Sequence, residues 1–592
     1  MKIKIFLLLI IAGFIAPSCD KYLEEKMVSS ADYTYFTTEK GIIDGLNGAY
    51  PQLKEFYGCE RSMTMTELGT DEYMNGSDGS YKYFNYYTTD LNPFSSFANE
   101  LWTQFYMGIN ITNNVIDNMP KVKFVNTATQ DIRLGEAYYL RAFFYFVLVR
   151  QFGSIPLKIN VTIALQREFK RAPVADIYKQ IISDLRIADA KLPVSQSEYG
   201  RANKGAADHL LSLVYLTRSS AEGDVRGAQP TDLDSAIYYS ESLITSGKYA
   251  LESDYSTFYN YYMLNKTDNP NSKEIIFAVQ NNMDPLLRGS GNRNHLYYLM
   301  EYDTKPGMVR DLANGRPFKR LMPTDYAINT YDRKIDSRFY KEVKMAYYCN
   351  NEKTIPKDGA GKPKFKLGDT AIYVTLDKDV KNSVVSSKSY TWYPRSIKKD
   401  DNTGYVRDSY AEKEFPTIVK FLDPYRETIV VEQGGRDFPV FRYAETLLIA
   451  AEAYGRKGNY AKAAEYINIV RKRAAYKTDE KKPKEFLTVE GGDPAKLNTS
   501  TENDMIITEA LINSPDKLVN FILDERTREL LGEHHRWFDL VRCGKLYERV
   551  KANNPKATGI AEFHKLRPIP QAVHIDRLVN AGSYAEEQNP GY

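Results

Sequence analysis

Long stretches with the hydrophobic period of an α-helix recur along this 592-residue chain, and they predict a mainly α fold. Apolar residues spaced three and four apart fall on one helical face, which must be buried against another element. Residues 131–151 are the most apolar stretch, and the sequence Phe-Gly-Ser-Ile-Pro at 152–156 ends it. The same period predicts further helices over residues 39–56, 100–119, 174–191, 203–219, 234–246 and 440–475.

The clearest helix pair lies within residues 440–475. Tyr443 and Leu447 mark the apolar face of its first helix, residues 455–459 (Gly-Arg-Lys-Gly-Asn) form the turn, and Ala463 and Ile467 continue on the second helix. Small residues at the helix contact and a short glycine turn resemble a tetratricopeptide pair, although the strict repeat signature is absent. We predict about four such degenerate pairs, stacked into a solenoid-like scaffold.

The helical period fades in two places, which we interpret as loop-rich insertions. One covers residues 70–98 and the other covers about 250–435, where Gly, Pro, Asn, Asp and Tyr become frequent. Short alternating stretches at 274–279 and 370–374 predict a few strands in the larger insertion. We expect one domain over 19–592, with its scaffold at about 39–250 and 436–592 and its ligand side formed by the insertions.

The N-terminus has the layout of a secretory signal. Lys2 and Lys4 precede a short apolar run, and Cys19 follows small residues at the expected cleavage point. This pattern resembles a bacterial lipobox, with Ala16 in place of the usual leucine. The sequence therefore predicts a signal peptide over 1–18, lipidation of Cys19 and a membrane anchor through that lipid. The acidic segment 20–25 resembles the surface-export signal of Bacteroidetes lipoproteins, which implies an outward-facing position.

The charge balance and the spacing of the cysteines argue against several other classes of protein. The chain has 79 basic and 76 acidic residues, a balance that argues against a nucleic-acid partner. Its 46 tyrosines combine flat apolar faces with hydroxyl groups and suit both cores and wet binding surfaces. Cys59, Cys349 and Cys543 show neither disulfide-framework nor metal-type spacing, and we expect them to be buried as small apolar residues.

Several blocks, in order from the lipobox to the last residue, carry a family resemblance. They lie at residues 136–146, 152–157, 200–207, 442–445, 451–453, 525–530, 535–542, 569–570 and 588–592. Together they resemble the SusD/RagB-type outer-membrane lipoproteins of Bacteroidetes. The poorly matched parts are residues 70–98 and much of 280–435.

The resemblance implies a fold, a location and partners. Such proteins have four tetratricopeptide-like pairs, lie over a SusC-like TonB-dependent transporter in the outer membrane, and mostly bind oligosaccharides without cleaving them. The expected ligand is therefore a glycan, the expected cofactor set is empty, and a structural calcium ion stays possible in the Asp- and Asn-rich turns. Some members bind peptides, so a peptide-binding lipoprotein or a protein-interaction scaffold is the alternative function.

Three aromatic clusters are candidate ligand sites, because sugar rings need flat aromatic faces beside amide, carboxylate or guanidinium groups. Packing of the same tyrosines against helices is the competing interpretation. Trp102 and Trp537 lie on periodic helices and are expected in the core, and Arg141, Arg526, Arg528 and Glu529 in internal ion pairs. The candidate residues are Asp71, Asn75, Tyr81, Tyr83, Tyr86 and Tyr87 in the first cluster, Tyr297 and Tyr298 in the second, and Tyr390, Trp392 and Arg395 in the third.

Enzyme motifs are weak, and we predict a non-enzymatic protein. Residues 289–294 lack the third glycine and the βαβ context of a nucleotide loop. Glu533, His534 and His535 lack the spacing of a helical zinc site. A glycoside hydrolase is the third functional hypothesis, since that chemistry needs two carboxylates at a defined separation, which a sequence does not reveal.

Overall fold

The computed structural model of the chain describes residues 35–162, 169–259, 272–477, 480, 500–577 and 587–592. The predicted signal peptide and Cys19 lie outside these residues. Within the described ranges, every helix is too short or too polar to cross a bilayer.

Eight long helices form the scaffold, and each packs against the next one in the chain. The third of them shows how its ends are fixed. The Asn126 side chain accepts hydrogen bonds from the Ala128 and Thr129 amides, and Gly153, at φ 72°, ends the helix in a conformation that favours glycine. The eight helices are Glu39–Ala49, Ser96–Asn118, Thr127–Phe152, Val174–Lys191, Lys204–Arg218, Asp232–Thr245, Tyr443–Arg456 and Tyr460–Arg473.

This arrangement confirms the predicted mainly helical scaffold. Some predicted boundaries differ from the structure. The helices expected over 100–119 and 131–151 begin four residues earlier, at Ser96 and Thr127. The helix expected over 39–56 ends at Ala49 and continues as the 3-10 helix Tyr50–Glu55. Pro51 lacks a backbone N–H and occupies the first turn of that 3-10 helix. Gly108 shows why small residues occur where helices meet, since a Cβ there would lie 2.6 Å from the Phe144 ring.

Buried ion pairs tie the scaffold together, as predicted for Arg141, Arg526, Arg528 and Glu529. Arg141 donates two hydrogen bonds, of 2.8 and 2.7 Å, to the Asp184 carboxylate on the neighbouring helix. Removing one partner of such a buried pair costs about 3–5 kcal/mol, because the other charge is left unpaired. The remaining pairs join Arg526 to Glu445 and Asp539, Arg528 to Glu525, and Glu529 to Arg338, Arg442 and Arg473.

The larger insertion contains a second hydrophobic core beneath its short strands. In this core the rings of Tyr302 and Tyr347 stack with centroids 5.1 Å apart. The predicted strands occur as Ile275–Val279 and Thr370–Val374. A core of its own lets the insertion hold a fixed shape on the scaffold. Its buried residues also include Met300, Met308, Met322, Cys349, Phe365, Ala371, Ile372, Val374, Tyr410 and Phe415.

The strands of the described residues form small sheets of two or three strands. Antiparallel pairs are Tyr73–Asn75 with Leu321–Pro323, Ile155–Pro156 with Arg171–Ala172, Ile275–Val279 with Phe438–Arg442, and Val343–Lys344 with Thr417–Ile418. Thr370–Val374 lies between Ala346–Tyr348 and, in parallel, Thr391–Tyr393, while Ile397–Lys398 lies between Tyr405–Arg407 and Val380–Lys381. Further helices are Glu60–Thr66, Tyr83–Tyr86, Gly223–Arg226, Ser256–Tyr259, Asn294–Tyr297, Asp325–Asn329, Arg338–Glu342, Asn382–Ser386, Pro515–Leu530, Arg536–Arg542 and Leu546–Asn553.

Candidate ligand site

The tyrosine-rich loop at residues 70–87 is held in place by the C-terminal part of the chain. The Asn554 amide group donates to the Thr70 carbonyl at 2.9 Å and to Asn85 Oδ1 at 2.8 Å. The backbone N–H of Gly559 donates to the Tyr86 carbonyl at 2.9 Å. A Cβ at Gly559 would overlap the Tyr87 carbonyl, so a small residue is required where the two segments touch. The loop is therefore fixed by contacts nearly 500 residues away in sequence.

Polar and charged groups from three segments surround the half-buried Tyr86. Its hydroxyl accepts a hydrogen bond from the Asn75 amide at 3.2 Å. Glu412 lies 2.7 Å from the Lys556 ammonium and 3.7 Å from that of Lys82. These three charged side chains are between 23% and 39% exposed, so each can still reach a ligand. The arrangement combines an aromatic ring with donors and an acceptor, which is what a sugar ring requires.

Two more tyrosines extend this surface. The Tyr81 ring stacks on Phe97 at 3.7 Å between centroids, and Tyr83 meets Tyr81 edge-on at 6.1 Å. Both tyrosines are half-buried, and the neighbouring Phe94 side chain is 70% exposed. Burial raises the pKa of Tyr83, so its hydroxyl stays protonated and can donate to a ligand at neutral pH. We name as the loop cluster the residues Tyr81, Lys82, Tyr83, Tyr86, Glu412 and Lys556.

Asp71 and Asn75 do not contact solvent, and the prediction that they touch a ligand directly is corrected for both. Asp71 is 0% exposed and accepts hydrogen bonds from Arg536 and Arg549. Burial alone would raise the pKa of Asp71, but the two guanidinium groups lower it below its usual range. Asn75 is 1% exposed and orients the Tyr86 hydroxyl. Both side chains support the surface from within the protein.

The tyrosines at 87, 297 and 298 are also interior, and the same correction applies to them. Tyr87 is 4% exposed and donates its hydroxyl hydrogen to the Gly69 carbonyl. Tyr297 and Tyr298 are each 1% exposed, and the Tyr298 hydroxyl donates to the Gly532 carbonyl. These tyrosines pack against the scaffold, because burying the apolar ring gains more free energy than burying the hydroxyl costs once the hydroxyl is hydrogen-bonded.

The third predicted cluster lies at the sheet formed by Ala346–Tyr348, Thr370–Val374 and Thr391–Tyr393. Tyr390 and Trp392 are half-buried, and each keeps part of its ring accessible. Arg395 is occupied by Asp325, to which its Nε donates at 2.6 Å, and by the Asp408 carbonyl. Arg395 therefore fixes the shape of the insertion, whereas the two aromatic rings remain available. The structure brings Tyr81, Tyr83 and Tyr86 together and places Tyr390 and Trp392 on a separate surface.

Three members of the loop cluster, Lys82, Glu412 and Lys556, were not predicted from sequence. Glu412 and Lys556 lie in separate segments, and neither is part of a local aromatic or polar motif. Both contact Asn75, which donates to the Tyr86 hydroxyl, and the Ser77 amide donates to the Glu412 carbonyl. These contacts between distant segments bring Glu412 and Lys556 close to Tyr86. Lys82 lies between Tyr81 and Tyr83, so its position within the run of tyrosines could have identified it from the sequence as a candidate site residue.

Thiols and acidic groups give no sign of a metal centre in the described ranges. Cys349 is buried as expected, while Cys59 and Cys543 are half-buried free thiols. Burial raises the pKa of Cys543 to about 12, which keeps this thiol protonated and unreactive. Among the residues that the structure describes, no three His, Cys, Asp or Glu side chains are placed to hold a metal ion.

Cavities also lie elsewhere in the described part of the chain, and two of them are the following. One of about 230 Å³ is bordered by Trp102, Tyr106 and Phe169, and Trp102 is only 5% exposed, in keeping with its predicted core role. Another of about 260 Å³ lies between Tyr50 and Arg201. Neither is lined by a residue of the loop cluster, which is an open surface.

The fold and the loop cluster define a helical-repeat binding protein with an open aromatic surface. The chain belongs to the SusD family, whose model, described as "SusD family", matches residues 241–592. A second model, described as "Starch-binding associating with outer membrane", matches residues 21–216. Membership therefore indicates association with the outer membrane.

Individual relatives are distant but span most of the chain. A SusD-like protein of Formosa agariphila is 25% identical over 554 residues, covering 92% of each chain. The starch-binding protein SusD of Bacteroides thetaiotaomicron is 24% identical over 501 residues, covering 79% of this chain and 75% of that protein.

Solved structures share the fold. The crystal structure of a SusD homologue from Bacteroides thetaiotaomicron has a TM-score of 0.67 at 20% identity, covering 95% of this chain and 99% of that one. Surface glycan-binding protein A from the same species, solved in complex with laminarihexaose, has a TM-score of 0.63 at 18% identity, covering 93% and 99%.

Proposed function

We propose that this protein captures a glycan at the cell surface and delivers it to a SusC-like TonB-dependent transporter. The observation that supports the proposal is the loop cluster, in which three half-buried tyrosines lie beside Lys82, Glu412 and Lys556. A sugar ring can stack its CH face on a tyrosine while its hydroxyls exchange hydrogen bonds with the ammonium and carboxylate groups. The relatives named for starch and laminarihexaose give this class of ligand further support.

The proposed role is binding without cleavage. A glycosidase needs a carboxylic acid that stays protonated at neutral pH and reaches the glycosidic oxygen. Burial raises the pKa of Glu67, and it raises that of Glu72 to about 7, so both have the electrostatic property of such an acid. Their side chains are only 0% and 2% exposed, which prevents contact with a polysaccharide. Glu412, in contrast, is accessible and forms ion pairs with Lys82 and Lys556.

Calorimetry and affinity gels with a panel of neutral and acidic glycans, together with mixed peptides, test the proposal. One face of a tyrosine ring is about a third of its 150–250 Å² area, so stacking contributes about 1–2 kcal/mol. Replacing Tyr86 or Tyr83 with alanine should therefore weaken glycan binding about five- to thirtyfold. Incubating each glycan with the protein and measuring released reducing ends tests for cleavage.

Tyr238→Ala is the matched control, because this tyrosine is 67% exposed on the scaffold helix Asp232–Thr245. Its affinity should equal that of the wild type. Binding to peptides and to no glycan would contradict the glycan part of the proposal and favour the peptide-binding alternative. A stable transporter complex without any soluble ligand would favour the interaction scaffold.

The lipid on Cys19 is the proposed means of attachment. Cys19→Ala should shift the protein from the membrane fraction to the soluble fraction, because no other lipid site is proposed. Cys59→Ala should remain in the membrane fraction. Protease added to intact cells would then test the outward orientation, and full protection of the wild type would contradict it.

A further inference from the structure

A second set of accessible rings lies at the sheet formed by Ala346–Tyr348, Thr370–Val374 and Thr391–Tyr393. Trp392 lies opposite Tyr373 in the parallel register of Thr391–Tyr393 and Thr370–Val374. The Tyr390 ring meets Tyr373 edge-on at 6.0 Å between centroids. All three side chains are half-buried. The Trp392 indole N–H donates to Thr375 Oγ1 at 2.9 Å, so this ring is held in one orientation.

Lys388 adds a positive charge to these rings. Its ammonium lies 5.4 Å from the centre of the Trp392 ring, a distance at which a cation and an indole attract each other. Lys388 has no carboxylate partner among the residues that the structure describes. The acidic group on this side is Asp377, which accepts a hydrogen bond from the Thr375 hydroxyl. Burial, and to a lesser extent the charge of Asp377, raises the pKa of Tyr390. We name Tyr373, Lys388, Tyr390 and Trp392 the aromatic–lysine face.

One part of the insertion, residues 343–408, is basic. Residues 343–408 contain 13 Lys and Arg against 8 Asp and Glu, a net charge of +5 in a chain whose total is +3. The remainder of the chain is therefore slightly acidic. Exposed lysines that lack a carboxylate partner within the described ranges include Lys362, Lys364, Lys366 and Lys378. Such an excess raises the local concentration of anionic ligands.

We propose that the aromatic–lysine face is a subsite for acidic sugars, which carry a carboxylate or a sulfate ester. A neutral sugar would gain only stacking on Trp392, whereas an acidic sugar would also bring its charge beside Lys388. This inference rests on the proposed glycan-binding function and assigns a chemical class to the ligand. The subsite shares no residue with the loop cluster.

Titration of the mature full-length protein tests the inference. The probes are polygalacturonate and chondroitin sulfate as acidic glycans, and laminarin and dextran as neutral ones. We expect the acidic probes to bind more tightly at 0.05 M NaCl and to lose affinity severalfold at 0.5 M, because salt screens exposed charges. Lys388→Ala should weaken acidic-glycan binding about two- to fivefold and Trp392→Ala about tenfold, while Lys388→Arg retains near wild-type affinity.

Matched controls are Lys123→Ala, an exposed lysine of the scaffold, and Tyr238→Ala. The inference is overturned if neutral and acidic glycans bind equally well, or if Trp392→Ala and Lys388→Ala leave acidic-glycan affinity unchanged. In either case, the proposed glycan-binding function would still stand if the wild type binds some glycan and Tyr86→Ala weakens that binding. Failure of every glycan to bind would remove both. Circular dichroism of each variant confirms that a lost affinity is not a lost fold.

Discussion

Asp71→Asn separates a structural role from a ligand-binding role at a position that the sequence alone placed in the binding site. The Asp71 carboxylate accepts hydrogen bonds of 2.6 Å from both Nε and Nη2 of Arg536, and one of 2.8 Å from Nε of Arg549. It is fully buried, so water cannot replace these bonds. The substitution keeps the shape of the side chain and removes its charge.

The expected cost follows from these contacts. A hydrogen bond to a charged group contributes about 1.5–3 kcal/mol, and an asparagine retains only one oxygen that can accept. Oδ2 of Asp71 accepts two of the three bonds and Oδ1 accepts one, so the asparagine loses one or two of them, at about 1.5–6 kcal/mol in total. The cost of breaking a buried ion pair, about 3–5 kcal/mol, falls in this range. Glu72 lies 3.3 Å from Arg536 and partly compensates its charge, so the lower figure of about 3 kcal/mol is expected.

Urea unfolding followed by tryptophan fluorescence measures this loss, and calorimetry on the folded variant measures glycan affinity. We expect lower stability and unchanged affinity. Asp44→Asn is the control, because Asp44 forms an exposed pair with Lys40 and its substitution should leave stability unchanged. A variant as stable as the wild type that binds glycan tenfold more weakly would refute the reasoning and restore Asp71 as a ligand contact.

Two further predictions concern the same region. Burial raises the pKa of Glu72 from 4.5, its ordinary value, to about 7 in the folded protein. Protonated Glu72 therefore stabilises the fold fully below pH 4.5, and this stabilisation is lost as the pH rises through 7. Between pH 5 and 7.5, the wild type should thus lose more free energy of unfolding than Glu72→Gln, and equal losses in paired urea titrations would contradict this. Gly559→Ala would push on the Tyr87 carbonyl and should weaken glycan binding in calorimetry, whereas Gly48→Ala, which meets no atom within 4 Å, should not.

The helical scaffold was predictable because its signal is local. Burying one face of a helix imposes a period of three and four residues, and the stretches at 174–191 and 203–219 recur as Val174–Lys191 and Lys204–Arg218. Caps reinforce the boundaries, as Asn203 does by accepting from the Ala206 amide. The predicted ion pairs of Arg141 and Glu529 also follow from chemistry, because a charge on a buried helical face needs a partner.

The candidate site was only partly predictable, because composition does not tell a buried tyrosine from an accessible one. Tyr86 and Tyr87 are adjacent, yet Tyr86 is half-buried and reachable whereas Tyr87 turns inward at φ 54° and bonds the Gly69 carbonyl. No period distinguishes them, since this loop has neither helical nor strand alternation.

The sequence by itself thus determined the mainly helical architecture and the family, through local periods and ordered motifs. Only the tertiary structure decided which side chains face a ligand. Glu412 and Lys556 join Tyr86 through contacts between segments more than 140 residues apart. The physical reason is that exposure and proximity depend on long-range packing, whereas helix formation depends on neighbours a few residues away.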